Sequence, residues 1–334
     1  MILNPAIIAL VFGSLLVSAV MIYASAVGIN IINNWDLKSG SEKQLRLERK
    51  TYLLSSVLSY VLAFQFISLF LFVYTADDIH TLFIGAMCAA GSLNVNDYGY
   101  STLFLKIVTV ILCGIWIIFN HTDNKGYDYP LIKTKYKFLL LITALIIVES
   151  IFQFKYFFQM RPNIITSCCG TLFSEEAKSI AGTMAHYPPY WTMIVFFASL
   201  ILTLRFGIHF LWTGRGDRGF SYLSVFMLLV AFTSIISFIS VYFYELPTHH
   251  CPFCILQKEY GYIGYPLYMS LFTAGITGAS VGVIGRYRGY SSLKEIIPSL
   301  QKRLCLVSMI GYAVFALIAS YPIIFSDFIL IYSD

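Results

Sequence analysis

Charge is scarce in this chain. Asp, Glu, Lys and Arg make up 12% of its 334 residues, while 58% are hydrophobic. No stretch is long or polar enough to fold as a separate soluble domain. No basic, aromatic-studded segment offers a nucleic-acid surface, so the net charge of +5 needs another explanation. A basic leader is also missing. Ala24-Ser25-Ala26 loosely resembles a cleavage site, but the first apolar run reads as a retained span rather than a signal peptide. Paired histidines at mid-membrane depth are absent too, since only His121 and His209 lie near apolar runs, and this argues against a buried haem.

What the chain has in quantity is apolar sequence. A helix needs about 20 mostly apolar residues to cross a bilayer. Eight segments qualify, at 5–34, 52–76, 100–120, 137–158, 190–212, 221–245, 263–285 and 303–326. The expectation is an all-α polytopic membrane helix bundle, one integral domain over 1–334. Cytoplasmic loops collect Lys and Arg. Lys43, Arg46, Arg49 and Lys50 follow the first span, Lys133, Lys135 and Lys137 precede the fourth, and Arg286, Arg288 and Lys294 follow the seventh. These loops alternate with acid- and cysteine-bearing ones, which places both termini outside and accounts for the positive charge.

In that orientation five of the seven cysteines fall on the outer side: Cys88, Cys168, Cys169, Cys251 and Cys254. Cys113 and Cys305 sit in spans toward the inner side and read as packing residues. A bacterial periplasm outside would permit disulfides, which points to the inner membrane with the cysteines on its periplasmic face. Small residues around Cys88 allow a close backbone approach, as in a re-entrant turn. Cys168 and Cys169 are adjacent, so pairing of one with a distant cysteine is more plausible than a strained mutual ring. A short surface helix is expected between Ser174 and His186.

The run His249-His250-Cys251-Pro252-Phe253-Cys254-Ile255-Leu256-Gln257-Lys258 carries the most chemistry. A Cys-x-x-Cys pair at the foot of an apolar helix gains thiolate character from the helix dipole and nearby cations. Thiolate is the species that attacks disulfides and binds metals.

Cys251 to Lys258 resembles the Cys-x-x-Cys-x-x-Gln-Arg signature of DsbB-type quinone-linked disulfide-generating proteins, with Lys258 where that family has arginine. Helix order is similar to that of vitamin K epoxide reductase-like proteins. There a cysteine-bearing outer loop follows the first helix of a four-helix bundle, and the Cys-x-x-Cys opens the fourth. Residues 137–285 repeat that order, although the loop cysteines here are adjacent instead of spaced and Cys88 is extra. The resemblance implies a membrane thiol–disulfide oxidoreductase with Cys251, Cys254, Cys168, Cys169 and Cys88 as its redox residues. Lys258 and Gln257 would bind a quinone, and the partner would be a periplasmic thioredoxin-like or other dithiol protein.

Metal binding is the alternative. Thiolates with imidazole suit Cu(I) or Zn, and four thiols can hold an iron–sulfur cluster. His249 and His250 with Cys251 and Cys254 would then ligate, in a metal-binding accessory protein. A transporter with a structural disulfide is a third reading. Glu149 and Arg205, inside the fourth and fifth spans, are expected to pair with each other, or to serve a proton path. Gly275, Gly278, Gly282 and Gly285 on the seventh span read as close helix packing.

Overall fold

The computed structural model describes residues 3–36, 39–162, 164–166, 187–328 and 330. The described residues are helical with no strand, and eight helices are long and apolar enough to cross a membrane. The chain is an all-α integral membrane protein. The helices are α1 (Pro5–Asn34), α2 (Glu42–Asp78), a short α3 (Ala89–Leu93), α4 (Tyr98–Lys125), α5 (Ile132–Phe158), α6 (Pro189–Thr213), α7 (Asp217–Ser234), a brief α8 (Ser240–Tyr244), α9 (Gly264–Gly285) and α10 (Ile296–Phe325).

Local chemistry sets their ends. Asn4 caps α1 by accepting the Ala6 N–H at 2.9 Å, and Pro5 occupies the first turn, where no N–H is needed. α6 likewise starts on a proline. It stops at Gly214, whose φ of 68° is left-handed and whose N–H reaches the Phe210 carbonyl.

The chain forms two compact units. The first comprises Met1–Thr75, Asn96–Met160 and Arg286–Ser299, and the second comprises Ala76–Val95, Arg161–Gly285 and Leu300–Asp334. The stretch 137–285 is thus shared: α5 belongs to the first unit, while α6 to α9 belong to the second.

In the first unit α5 packs on both α1 and α4 around Met21, Leu58, Trp116, Tyr136, Leu139 and Ile142. Buried charge is compensated inside this core. Lys106 Nζ lies 2.7 Å from Glu149 Oε1 and donates to Ser68 Oγ at 2.9 Å. Thr109 Oγ1 donates to the other Glu149 oxygen at 2.6 Å. Lys135 and Asp123 form a second buried pair at 2.6 Å. The expected Glu149–Arg205 pair is therefore corrected: the partner of Glu149 is Lys106, and Arg205 is exposed. Lys106 and Thr109 are three residues apart on α4, so one helix face presents both donors to the carboxylate.

In the second unit α7 packs closely on α9, as the glycine spacing implies. A Cβ on Gly278 would stand 1.9 Å from Ser224 Oγ, and one on Gly275 would stand 2.8 Å from the Leu228 side chain. Ser221 Oγ donates to the Ala279 carbonyl across the same seam at 2.9 Å. Small residues bring backbones close enough for such bonds, which matter where water is absent. Between α7 and α8 the helix widens into a π-turn, Ile235–Ile239. α8 then stops at Glu245, in the left-handed region with φ 54°.

Candidate functional site: a buried cysteine triad

Cys88 follows the end of α2. The chain leaves α2 at Asp78, makes a 3-10 turn over Ile79–Leu82, and reaches Cys88 as the cap residue before α3. All five residues of α3 are buried, and Cys88 itself is 0% exposed. The Asp77 carboxylate accepts the Ala89 N–H at 3.0 Å, which fixes the start of α3 and with it Cys88.

A strip of chain beyond α5 stiffens this turn. Ile84 bridges Ile165 in parallel, with the Ile84 N–H on the Ile164 carbonyl at 3.1 Å and the Thr166 N–H on the Ile84 carbonyl at 2.9 Å. Thr166 Oγ1 donates to the Gly91 carbonyl at 3.0 Å. Gly85, at φ 88°, permits the approach, because a Cβ there would stand 2.6 Å from the Thr166 carbonyl oxygen.

Cys251 and Cys254 lie on the loop between α8 and α9. The expected helix N-terminus is corrected here. Cys254 opens a 3-10 turn, Cys254–Leu256, a second turn covers Lys258–Tyr260, and α9 begins only at Gly264. Gln257, extended at ψ 162°, ends the first turn, and Gly261 and Tyr262, both at positive φ, end the second, so neither grows into helix. A long helix dipole therefore does not act on these sulfurs, and the loop is held by side chains instead.

Tyr244 is the main clamp. Its hydroxyl donates to the Cys251 carbonyl at 2.6 Å and accepts the Ile255 N–H at 2.9 Å, so one oxygen fastens both ends of the Cys-x-x-Cys. Tyr268 Oη donates to the Pro252 carbonyl at 2.6 Å. Gln257 Nε2 donates to Asp77 Oδ1 at 3.0 Å and to the Met87 carbonyl at 3.3 Å, stapling this loop to the Cys88 turn.

The result is convergence. The sulfurs of Cys88, Cys251 and Cys254 all lie within 4.8 Å of one another, and all three residues are buried. Cys88 and Cys251 are 3.5 Å apart. Such a set can hold a metal ion. His249 Nε2 is 3.4 Å from Cys254 Sγ, its ring edge-on to Tyr244 with centroids 4.5 Å apart. Burial pushes the His249 imidazole below its ordinary pKa, opposed by the Cys88 sulfur and reinforced by His250. Burial likewise pushes the Tyr260 phenol up, helped by the nearby Cys254.

His250 points away from the sulfurs. Its Nδ1 donates to the Ile236 carbonyl in the π-turn at 2.9 Å. Lys258 is exposed. Cys168, Cys169 and the stretch from Ser174 to His186 lie outside the described residues. Cys113 and Cys305 are buried packing residues, 1% and 0% exposed.

Asp77, Tyr244 and Tyr268 are the site residues that sequence reasoning missed. Asp77 had a signal, being a carboxylate at the end of an apolar helix. The tyrosines had none, because they act on backbone groups. Searches against family models, curated proteins and solved structures find no match to this chain.

Proposed function

We propose that this integral membrane protein is a thiol–disulfide oxidoreductase that exchanges electrons between its clustered cysteines and a membrane quinone, in the manner of DsbB-type and vitamin K epoxide reductase-like proteins. The observation that carries the reading is the 3.5 Å separation of Cys88 and Cys251 sulfurs. Reacting atoms poised for attack stand about 3–3.5 Å apart.

Exchange balances with the groups present. A Cys88 thiolate attacks the Cys251 sulfur of a Cys251–Cys254 disulfide. The Cys88–Cys251 bond forms, the Cys251–Cys254 bond breaks, and the electron pair leaves on Cys254. His249, beside Cys254, receives that negative charge as a hydrogen-bond donor when protonated. A second thiolate then attacks Cys88, forms a new disulfide with it and releases Cys251. That thiolate comes from a dithiol partner, of thioredoxin-like type, or from Cys168 or Cys169 acting between them. Thr166, two positions before Cys168, is hydrogen-bonded to the Cys88 turn, which favours such a relay.

The roles of the pair differ. Cys251 meets Cys88, whereas Cys254 is the more accessible, at 6% exposure against 0%. Lys258, four residues on and exposed, is a cationic donor whose chemistry fits a quinone carbonyl. Gln257, expected at the quinone as well, has its amide group on Asp77 and Met87 and serves the loops. A quinone bound there would supply a two-electron, two-proton acceptor. The periplasmic face of a bacterial inner membrane is the setting this reading requires.

The test is quinone-dependent oxidation of a reduced dithiol protein by the purified, metal-free chain in nanodiscs. Wild type should turn over, and Cys251→Ser and Cys254→Ser should each lose quinone-coupled turnover by at least a hundredfold. Equal turnover in wild type and both variants would end the proposal.

A further inference from the structure

We infer that Cys88, Cys251, Cys254 and His249 form a four-donor site for a thiophilic divalent cation, zinc(II) by donor count, and that the bound ion locks the reduced site against exchange. The binding claim stands on geometry alone, and the lock rests on the exchange reading above.

Tetrahedral zinc with Zn–S of about 2.3 Å and Zn–N of about 2.0–2.1 Å holds ligand sulfurs about 3.8 Å apart and sulfur to nitrogen about 3.5 Å apart. The Cys88–Cys251 separation is 3.5 Å, and the Cys254–His249 separation is 3.4 Å. The third sulfur already lies within 4.8 Å of the other two. The three sulfurs therefore need shifts of about 1 Å, while the His249 ring, held beside Cys254 alone, must swing further to close the fourth position.

Donor chemistry agrees. Three sulfurs and an imidazole nitrogen match a Cys3His structural zinc site, and hard cations such as magnesium or calcium would find no oxygen ligands in it. The surroundings fix the donors as outer-shell partners of a metal do. Tyr244 holds the Cys251 carbonyl and packs edge-on against the His249 ring. The residue set differs from the one that sequence order implies: Cys88 joins from a distant turn, and His250, committed to the Ile236 carbonyl, drops out.

Binding to the reduced site displaces the thiol protons, one for each sulfur that was protonated. Oxidation does the reverse. When two thiolates become a disulfide, two electrons pass to the acceptor, the disulfide sulfurs no longer ligate, and zinc is released. Zinc and disulfide exclude each other, so the ion holds back Cys88 and Cys254 together.

The experiment titrates the full chain, reduced and in nanodiscs, with Co(II) and then Zn(II) under argon. One Co(II) per chain should bind with the intense absorption of thiolate-to-metal charge transfer, and one Zn(II) should displace it. His249→Ala should weaken zinc affinity at least tenfold, while His250→Ala should leave it within twofold. Absence of the thiolate band in wild type would overturn the site, whatever the variants do. So would dependence on His250 in place of His249. The lock is read separately, as dithiol oxidation with and without one equivalent of zinc. At least tenfold slowing supports it, and an unchanged rate in zinc-loaded protein overturns it. If chelated protein fails to oxidise dithiols yet binds zinc, the exchange reading and the lock fall while the metal site stands.

Discussion

Cys88 and Cys251 are 163 positions apart in the chain, yet their sulfurs lie 3.5 Å from each other in a place sealed from solvent. Their side chains do not create this proximity. Asp77 binds the Ala89 N–H behind Cys88, Gln257 reaches across to that same carboxylate oxygen, and Tyr244 holds Cys251 from the other side. Two loops are fastened at their backbones, and the sulfurs meet as a consequence.

This relationship gives the first prediction. In Cys254→Ser, mild oxidation should join Cys88 to Cys251, and peptide mass spectrometry should find that crosslink ahead of any involving Cys113 or Cys305. A bridge of about 2.05 Å needs the sulfurs to close by about 1.5 Å, which side-chain rotation supplies. Failure to form the crosslink would remove Cys88 from the exchange pathway.

Tyr244→Phe should loosen the cysteine loop. The change strands the Ile255 N–H and the Cys251 carbonyl, and a buried group left unsatisfied costs about 1–3 kcal/mol. Thermal unfolding in nanodiscs should show the loss. The crosslinking rate between Cys88 and Cys251 should fall with it, a coupling that a purely structural tyrosine elsewhere in the bundle would not produce.

Lys258→Ala should lower quinone-dependent turnover about tenfold or more, since a charged hydrogen bond is worth about 1.5–3 kcal/mol. Thiol exchange with a dithiol partner should stay within twofold of wild type, because Lys258 is exposed whereas the Cys88–Cys251 contact is buried. Stopped-flow exchange and steady-state quinone reduction separate the two.

Lys106→Met should destabilise the first unit by about 3–5 kcal/mol, the cost of leaving the Glu149 carboxylate buried without its cation. The double variant Lys106→Met, Glu149→Gln should recover most of that loss. Thermal melts followed by tryptophan fluorescence would measure both, and equal destabilisation in single and double variants would contradict the ion pair.

How far the sequence spoke depends on which force acts. The eight spans were legible because apolar length is a one-dimensional property, and close packing on α9 was legible because its glycines repeat on one helical face, although α7 as the partner was not. The candidate cysteines stood out as thiols in loops of one polarity. Which sulfur meets which was not legible, since the Asp77–Gln257 link joins residues 180 positions apart. Lys106 went unnoticed as an intramembrane charge because it sits only two turns into α4. Glu149 was therefore matched with the wrong cation. The apolar run Phe253-Cys254-Ile255-Leu256 suggested helix, but extended Gln257 ends it as one 3-10 turn, and left-handed Gly261 ends a second over Lys258–Tyr260.

The π-turn between α7 and α8 has a consequence for how this region tolerates insertion and deletion. A π-turn takes up one residue more than an α-turn while the helix keeps its course. Removing a single residue from Ile235–Ile239 would restore regular α-helix, with each carbonyl accepting from the N–H four residues on, and would take the Ile236 carbonyl into that ladder and away from His250. His250 would lose its acceptor in the same step. Descendants of this sequence should therefore keep or lose the widened turn and the histidine as one unit.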